Sequence, residues 1–249
     1  MTALIEAKGL HKAFGAVIAA KDVSVAARRG ERVGLIGNNG AGKTTFVNMV
    51  TGYIKPDRGS ILLDGVDITG LAPRRVSRHG VSRSFQMPQL FASLTPEENL
   101  LMALGIGRPE GLSAWRPART RALVAELEEL LARFRLGEYR GHAIAALPGG
   151  VRKLVDIAMA VTRRPKLLLL DEPTSGVAAE EKFPLMNVIM AALAGADVTV
   201  LFVEHDMEIV ERYAERVLAF HDGRVIADDA PAAVLGNADV QRHVTGIVQ

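Results

Sequence analysis

The sequence predicts an α/β fold built on a parallel sheet. Short apolar runs that are typical of buried parallel strands occur at residues 32–36, 166–170 and 198–203. Segments with helical spacing of apolar residues separate these runs, as in other α/β proteins. A glycine-rich turn follows the first run and leads into a helix predicted to start at Thr45. This order of strand, glycine turn and helix is the context that a phosphate-binding loop requires.

The glycine-rich turn has the complete spacing of a phosphate-binding loop. Glycines let successive backbone N–H groups converge on phosphate oxygens, and the helix N-terminus adds unpaired donors. Lys43 would place a positive charge on the β- and γ-phosphates, and the Thr44 hydroxyl would be a ligand of Mg²⁺. A glycine turn that merely joins a strand to a helix is the alternative, but the full spacing favours nucleotide binding. The loop residues are Gly37, Asn38, Asn39, Gly40, Ala41, Gly42, Lys43, Thr44 and Thr45.

Length and composition favour one compact domain with a subdomain. The chain has 249 residues, of which 49% are hydrophobic, so it can bury a large core. Its apolar runs are far shorter than the roughly 20 residues of a membrane-spanning helix, and residues 1–10 do not resemble a signal peptide. The absence of cysteine excludes disulfides and cysteine catalysis, and is compatible with a cytosolic location. A formal charge of +2 argues against nucleic-acid binding through gross electrostatics.

An antiparallel β layer is predicted ahead of the phosphate loop. Residues 4–10, 16–20 and 22–27 show partial alternation of apolar and polar side chains. Phe14 lies in the predicted turn between two of these segments. Its ring either covers the sheet or offers a stacking platform for a nucleobase, and both interpretations stay open on the residues alone.

Helical segments are predicted for the middle of the chain. A short basic helix at residues 72–79 and a strand at 81–85 come first. Thr95 is a predicted N-cap, with Pro96 and two acids in the first turn after it. Residues 105–117, which include Trp115, read as a loop. An apolar stripe then recurs at helical spacing, and core packing is its simplest explanation. The stripe consists of Leu123, Leu127, Leu130, Leu131 and Phe134.

Polar residues follow the predicted strands of the sheet. Asp171 and Glu172 end the run at 166–170, His205 follows the run at 198–203, and Gln86 follows the strand at 81–85. Ligands of α/β sheets gather at the carboxyl ends of the strands. There, Asp171 could hold Mg²⁺, Glu172 could polarise an attacking water, and His205 could reach the γ-phosphate. Gln86 could place its amide near the metal or the attacking water. Solvated acids in a turn and a structural histidine are the alternatives, which the upstream phosphate loop disfavours.

Together these motifs resemble the ATP-binding subunits of ATP-binding cassette (ABC) transporters along nearly the whole chain. The order and spacing of the motifs also match that family. Several short segments look most like subunits of branched-chain (hydrophobic) amino acid importers, although subunits for other small solutes and for lipopolysaccharide export are similar. The segments that carry the resemblance to the ABC transporter family as a whole are the phosphate loop and residues 84–86, 147–150, 170–174, 175–176 and 204–207.

The resemblance implies a P-loop NTPase with a RecA-like parallel sheet, an N-terminal antiparallel β subdomain and a helical subdomain. It implies a single ABC ATP-binding domain over residues 1–249. The catalytic α/β core with the β subdomain would occupy about 1–86 and 162–249, and the helical subdomain 87–161.

The resemblance also implies roles for individual residues in a head-to-tail pair of subunits, either a homodimer or a heterodimer. Phe14 would stack on adenine, and Gly149 and Gly150 would face the ATP held by the partner subunit. Glu172 would be the general base and His205 the γ-phosphate contact. The metal ligands would be Thr44, Gln86 and Asp171, and Gln86 would also act as a lever joined to the membrane-facing groove.

The helix start at residues 147–151 departs from the usual pattern of that family, which is Leu-Ser-Gly-Gly-Gln. Pro148 lacks the serine hydroxyl and a backbone N–H, and Val151 replaces the glutamine amide. Ala178 stands where the family often has aspartate. One lost charge-assisted hydrogen bond is worth about 1.5–3 kcal/mol. The composite ATP site that this helix start donates is therefore expected to be weak, whereas Gly149 and Gly150 keep their amides.

The function that the resemblance implies is ATP hydrolysis, with ATP and Mg²⁺, that drives solute import through a separate permease. The partners would be a second ATP-binding subunit, transmembrane permease subunits and an extracytoplasmic solute-binding protein, with no nucleic acid. The chain would lie peripherally on the cytoplasmic face of the inner or plasma membrane. The alternatives are a hydrolysis-impaired asymmetric partner subunit and a non-transport ABC ATPase. A GTPase lacks support because no Asn-Lys-x-Asp segment is present.

Overall fold

The computed structural model describes residues 3–107 and 120–246. The chain divides into two compact units. The first unit consists of the described residues of Met1–Ser82, Lys166–Glu172 and Asp197–Gln249. The second unit consists of the described residues of Arg83–Pro165 and Pro173–Ala196.

Ten strands are found in the described part of the chain, in two sheets. The first sheet has the order β2-β1-β4-β5, and the second has the order β10-β9-β3-β8-β7-β6. In chain order the strands are β1 (Ala3–Phe14), β2 (Val17–Arg28), β3 (Arg32–Gly37), β4 (Arg58–Leu63), β5 (Val66–Asp67), β6 (Val81–Ser84), β7 (Leu167–Asp171), β8 (Thr199–Val203), β9 (Arg216–His221) and β10 (Arg224–Asp229).

The helices of the described residues lie between and after these strands. They are α1 (Lys43–Val50), α2 (Pro73–Arg78), α3 (Pro96–Gly107), α4 (Arg121–Arg133), α5 (Gly149–Val161), α6 (Ala179–Leu193), α7 (Met207–Tyr213), α8 (Pro231–Leu235) and α9 (Ala238–Val240). A short π-helix at Gln241–Thr245 follows α9. Within residues 3–107 and 120–246, no helix combines the length and the apolar character needed to cross a membrane.

Ahead of the phosphate loop, the first sheet has two long strands, β1 and β2, where three short segments were predicted. β1 and β2 pair along their lengths, with register shifts after Ala7 and Leu10. Between the pairs Leu10–Val23 and Lys12–Ala20, β2 contains one extra residue. This bulge interrupts the alternation of inward and outward side chains at the point where the prediction divided β2 into 16–20 and 22–27. Phe14 is the last residue of β1 and therefore precedes the turn, in which the prediction had placed it.

The second sheet confirms the predicted parallel core. β3 pairs in parallel with β8 and β9, β7 pairs in parallel with β8, and β10 runs antiparallel to β9. All five residues of β8 are buried, as expected for a strand that is covered on both faces. The carboxyl ends of β3, β7 and β8 therefore meet at one edge of the sheet.

The second unit contains the predicted helix start at Thr95. The Thr95 hydroxyl accepts a hydrogen bond from the N–H of Glu98, and the Glu98 carboxylate accepts one from the N–H of Thr95. This reciprocal pair is a capping box. α3 continues to Gly107, so residues 105–107, which were predicted to lie in a loop, are helical. Burial of Leu100 and Leu104 offsets the cost of about 1 kcal/mol for each glycine in the last turn. The rest of that predicted loop, with Trp115, lies outside the described residues.

The apolar stripe along α4 forms part of the core, as predicted. Leu123, Leu127, Leu130 and Leu131 are buried on one face of the helix, and Phe134 at its C-terminus is fully buried. Val124 lies on the other face and is 37% exposed.

Shortening a side chain should lower the free energy of unfolding more on the buried face of α4 than on its exposed face. Leu131→Ala should lower the free energy of unfolding by about 2–5 kcal/mol, because it leaves a cavity in a packed core. Val124→Ala is the matched control and should change it by less than about 0.5 kcal/mol. Urea titration followed by circular dichroism measures both values. Equal losses would contradict the assignment of the stripe to the core.

Candidate functional site

The carboxyl edge of the second sheet brings four predicted site residues into one region of the first unit. β3 leads into the phosphate loop, β7 ends at Asp171, and Glu172 follows it. β8 lies between β3 and β7 and is followed by Glu204 and His205. In this order the loop, the acidic pair and the histidine come from neighbouring strands.

Lys43 is the first residue of α1 and is buried, although it carries a charge. Its Nζ donates hydrogen bonds to the carbonyl oxygens of Gly37, at 2.5 Å, and Asn38, at 3.1 Å. Burial lowers the pKa of Lys43, and attraction by the carboxylates of Glu172 and Asp171 opposes this effect. The interior of the loop is thus a positive site, and the acidic pair lies near enough to influence its charge.

The outer face of the phosphate loop packs against main-chain atoms of other strands. A Cβ atom on Gly37 would lie 2.4 Å from the carbonyl oxygen of Phe220, and one on Gly42 would lie 2.6 Å from that of Ala19. Gly42 also has a φ of 106°, which side chains disfavour. Because no side chain fits at either position, the loop can lie directly on β2 and β9.

The structure reveals contacts to the loop from the C-terminal part of the chain that sequence patterns had missed. The side-chain amide of Asn38 donates to the carbonyl oxygen of His243 at 2.7 Å, and the N–H of Gly223 donates to the carbonyl oxygen of Ala41 at 3.0 Å. The rings of His221 and His243 stack with centroids 4.4 Å apart. Among these contacts, sequence patterns could have indicated only the turn at Asp222 and Gly223 between β9 and β10, because Asp-Gly is typical of tight turns.

Glu172 and His205 form a close pair. Glu172 has a φ of 48°, and its N–H donates to the carbonyl oxygen of Val203. This uncommon conformation turns the chain sharply at the end of β7. Glu172 Oε1 lies 3.1 Å from His205 Nε2. The N–H of His205 donates to the carboxylate of the buried Glu204. This contact fixes the position of the Glu172 carboxylate, as is required of a group that accepts a proton from a bound molecule.

Phe14 presents an exposed ring at the end of β1. The residue is 48% exposed, and Lys12 Nζ lies 5.5 Å from the ring centroid. Val17 and Ile18, at the start of β2, are also exposed, and Ala19 follows them with its contact to the phosphate loop. An open aromatic face next to apolar side chains fits a flat heterocycle.

The predicted site residues Gln86, Gly149 and Gly150 belong to the second unit. Gln86 and Gly149 line one open groove of about 330 Å³, which Met87, Leu90 and Ile144 also line. α5 begins at Gly149, and its N-cap is Pro148, which makes no side-chain cap hydrogen bond. The N-terminal amides of α5 are therefore not capped by a side chain of the residue before it.

Comparisons with known proteins agree along the chain. A family model described as ABC transporter matches residues 20–175. The sequence is 34% identical to the high-affinity branched-chain amino acid transport ATP-binding protein BraF of Pseudomonas aeruginosa, over 98% of each chain. It is 35% identical to the high-affinity branched-chain amino acid transport ATP-binding protein LivG of Salmonella typhimurium, again over 98% of each chain.

Solved structures give the same result. A nucleotide-free ATP-binding cassette from an ABC transporter matches with a TM-score of 0.85 and 29% identity, over 100% of both chains. The ADP conformation of an ATP-binding cassette matches with a TM-score of 0.84 and 28% identity, over 97% of this chain and 98% of that one. These matches confirm the predicted P-loop NTPase fold and the resemblance inferred from the motifs.

The packing behind the phosphate loop predicts different effects for two of its glycines. Gly42→Ala should lower the thermal unfolding midpoint and weaken ATP binding by more than about ten-fold, because the new Cβ displaces the loop from Ala19. Gly40→Ala is the control, since Gly40 has a similar φ of 81° but open space around it. Its cost should be limited to backbone strain of about 1 kcal/mol. Calorimetry of unfolding and of ATP binding measures both effects, and equal losses would contradict the role of this contact.

Proposed function

The chain belongs to the ABC transporter family, and we propose that it hydrolyses ATP to drive import of branched-chain or related amino acids through a separate permease. One observation supports hydrolysis above all: Lys43, Asp171, Glu172 and His205 lie beyond or at the carboxyl ends of neighbouring strands, at one edge of a single sheet. The two relatives BraF and LivG are branched-chain amino acid transport ATP-binding proteins, which supports an amino acid as the solute.

ATP binding would rest on the phosphate loop and on Phe14. The N–H groups of the loop and the start of α1 would hold the β- and γ-phosphates, with Lys43 supplying positive charge. Lys43 Nζ would then exchange the carbonyl oxygens of Gly37 and Asn38 for phosphate oxygens. The exposed ring of Phe14 would stack on adenine.

The residues present fit a magnesium ion that is bound together with ATP. No cluster of three or more metal-binding side chains occurs in the described ranges. Mg²⁺ typically takes only one or two protein oxygens and completes its shell with phosphates and water. The Thr44 hydroxyl and the Asp171 carboxylate, both in the first unit, would hold it. When bound, it would neutralise charge on the phosphates.

Hydrolysis would use the pair formed by Glu172 and His205. Glu172 would accept a proton from water as the water oxygen bonds to the γ-phosphorus. The bond from that phosphorus to the β,γ-bridging oxygen would break and release ADP and phosphate. His205 would hold Glu172 in place and donate to the γ-phosphate, and Gln86 would orient the water.

The partners proposed for the chain follow from its membership of the ABC transporter family. A second ATP-binding subunit, identical or different, would bring its own phosphate loop to Gly149 and Gly150. The helical region at 87–161 and the groove beside Gln86 would contact the permease, which would hold the chain at the cytoplasmic face of the membrane. An extracytoplasmic solute-binding protein would deliver the solute.

A second candidate function is an asymmetric, hydrolysis-impaired partner subunit. The observation that favours it is the start of α5, where Pro148 provides no hydroxyl and no cap. Val151 and Ala178 also lack the polar groups that are usual in the family. In this case the chain would hydrolyse ATP against the intact helix start of a different subunit, and would offer a weak one in return.

ATP turnover by the isolated chain tests the main proposal. The wild type should release phosphate from Mg-ATP, and Glu172→Gln should reduce kcat by more than about a hundred-fold while ATP binding persists. The Gln side chain keeps the size of Glu but cannot accept the proton. ATP binding without turnover in the wild type would contradict a self-sufficient motor and would favour the asymmetric partner.

Restoring a hydroxyl at the start of α5 separates the two candidate functions. Pro148→Ser should raise the thermal stability, because an N-cap serine is worth about 0.5–2 kcal/mol. In an asymmetric subunit it should also raise ATP turnover in the assembled transporter by roughly ten-fold. Pro148→Ala, which restores the N–H without the hydroxyl, is the control. Unchanged turnover of Pro148→Ser would count against the asymmetric subunit.

A further inference from the structure

Two ionisable residues of α5 are buried and have no part in the proposed chemistry. Lys153 is 2% exposed and Asp156 is 7% exposed. They are three residues apart, so both side chains lie on the same face of the helix. Burial of a charged side chain is costly unless hydrogen bonds and opposite charges compensate for it. The partners of these two residues therefore indicate what they hold in place.

Asp156 holds both ends of the segment Ser84–Gln89. The hydroxyl of Ser84 donates to Oδ2 at 2.5 Å, and the backbone N–H of Gln89 donates to Oδ1 at 3.2 Å. Burial raises the pKa of Asp156, whereas the hydrogen bonds from Ser84 and Gln89 lower it. The nearby charge of Lys153 also lowers it. Each carboxylate oxygen thus has a donor from this segment.

Lys153 holds the middle of the same segment. Its Nζ donates to the carbonyl oxygen of Phe85, at 3.2 Å, and to that of Gln86, at 2.5 Å. Hydrogen bonds that involve a charged group are stronger than neutral ones. The backbone on both sides of the Gln86 Cα is therefore fixed by one buried cation, while the Gln86 side chain itself is exposed.

We propose that Lys153 and Asp156 are positioning residues, which fix Gln86 to the helix that begins with Gly149 and Gly150. The proposal rests on the proposed role of Gln86 in ATP turnover. A shift of α5 would carry Gln86 with it, because four hydrogen bonds join the helix to Ser84–Gln89. A molecule that binds in the groove beside Gln86 would thereby also shift the start of α5, and a molecule that binds at the start of α5 would shift Gln86.

Amide hydrogen exchange tests the attachment without relying on activity. In the full-length chain, Asp156→Ala should increase the exchange rate of the Gln89 amide by more than about ten-fold, because its acceptor is lost. The Phe91 amide is an internal reference, since it donates to Asn99 Oδ1. Its rate should change by less than about two-fold.

Asp156→Asn is the conservative variant. Its amide oxygen can still accept from Gln89, and its NH₂ group can donate to the Ser84 hydroxyl. It should therefore restore most of the Gln89 protection. Unchanged Gln89 exchange in Asp156→Ala would overturn the proposal, and so would equal acceleration at Gln89 and Phe91, which would indicate general loosening.

ATP kinetics test whether the attachment serves Gln86. Lys153→Met keeps the length of the side chain but removes the donor. It should lower kcat by about ten-fold with KM for ATP within about two-fold, because the phosphate loop is untouched. Arg133→Met is the matched control, because Arg133 also donates to a main-chain carbonyl of the second unit, that of Ala192. It should cost stability without lowering kcat.

The two arms separate this proposal from the proposed function. Wild-type turnover that does not depend on Glu172 would contradict the proposed function. The Gln89 exchange rate in Asp156→Ala would then be the only test of whether Ser84–Gln89 is attached to α5. Turnover that depends on Glu172 but is unaffected in Lys153→Met would overturn the positioning role. Equal losses of kcat in Lys153→Met and Arg133→Met would overturn it as well.

Discussion

The buried ammonium group of Lys43 constrains much of the first unit. A buried cation is stable only where hydrogen-bond acceptors and negative charges surround it. Gly37 and Asn38 supply carbonyl acceptors, and Asp171 and Glu172 supply opposing charge. The carboxylates reach this position because β7 and β3 lie on either side of β8. The buried charge of Lys43 is therefore stable only because the order of the strands brings these two carboxylates near it.

The shape of the phosphate loop depends on what lies outside it. Main-chain carbonyl groups of Ala19 and Phe220 approach so closely that only glycine fits at Gly42 and Gly37. On its other side the loop is tied to the C-terminal part of the chain through Asn38 and His243. A loop that must present its N–H groups to phosphate benefits from such fixed surroundings, because less ordering is needed when the anion binds.

The second unit applies the same physical rule with different residues. Lys153 and Asp156 are buried charges whose partners are backbone groups and one hydroxyl of a neighbouring segment. Pairing of this kind fixes geometry more than it adds net stability, because desolvation consumes much of the gain. In both units, buried charge specifies where a segment near the site must lie. The apolar stripe of α4 supplies the burial that stabilises the fold around it.

The sequence by itself determined the phosphate loop, the parallel sheet, the helix start at Thr95 and the buried stripe of α4. Each of these depends on neighbouring residues, whose spacing records a turn, a helix face or a covered strand. Strand ends also placed Asp171 and His205 at the correct edge, because parallel strands share one direction. Only the tertiary structure decided the full length of β1 and β2, whose bulges disguise the alternation.

Only the tertiary structure, likewise, assigned partners to Asn38, Lys153 and Asp156. Asn38 meets His243 from the far end of the chain, and Asp156 meets Ser84 from a separate strand. Contacts between residues so far apart leave no periodic trace in one sequence. They arise from how strands and helices pack, and packing depends on the whole chain at once.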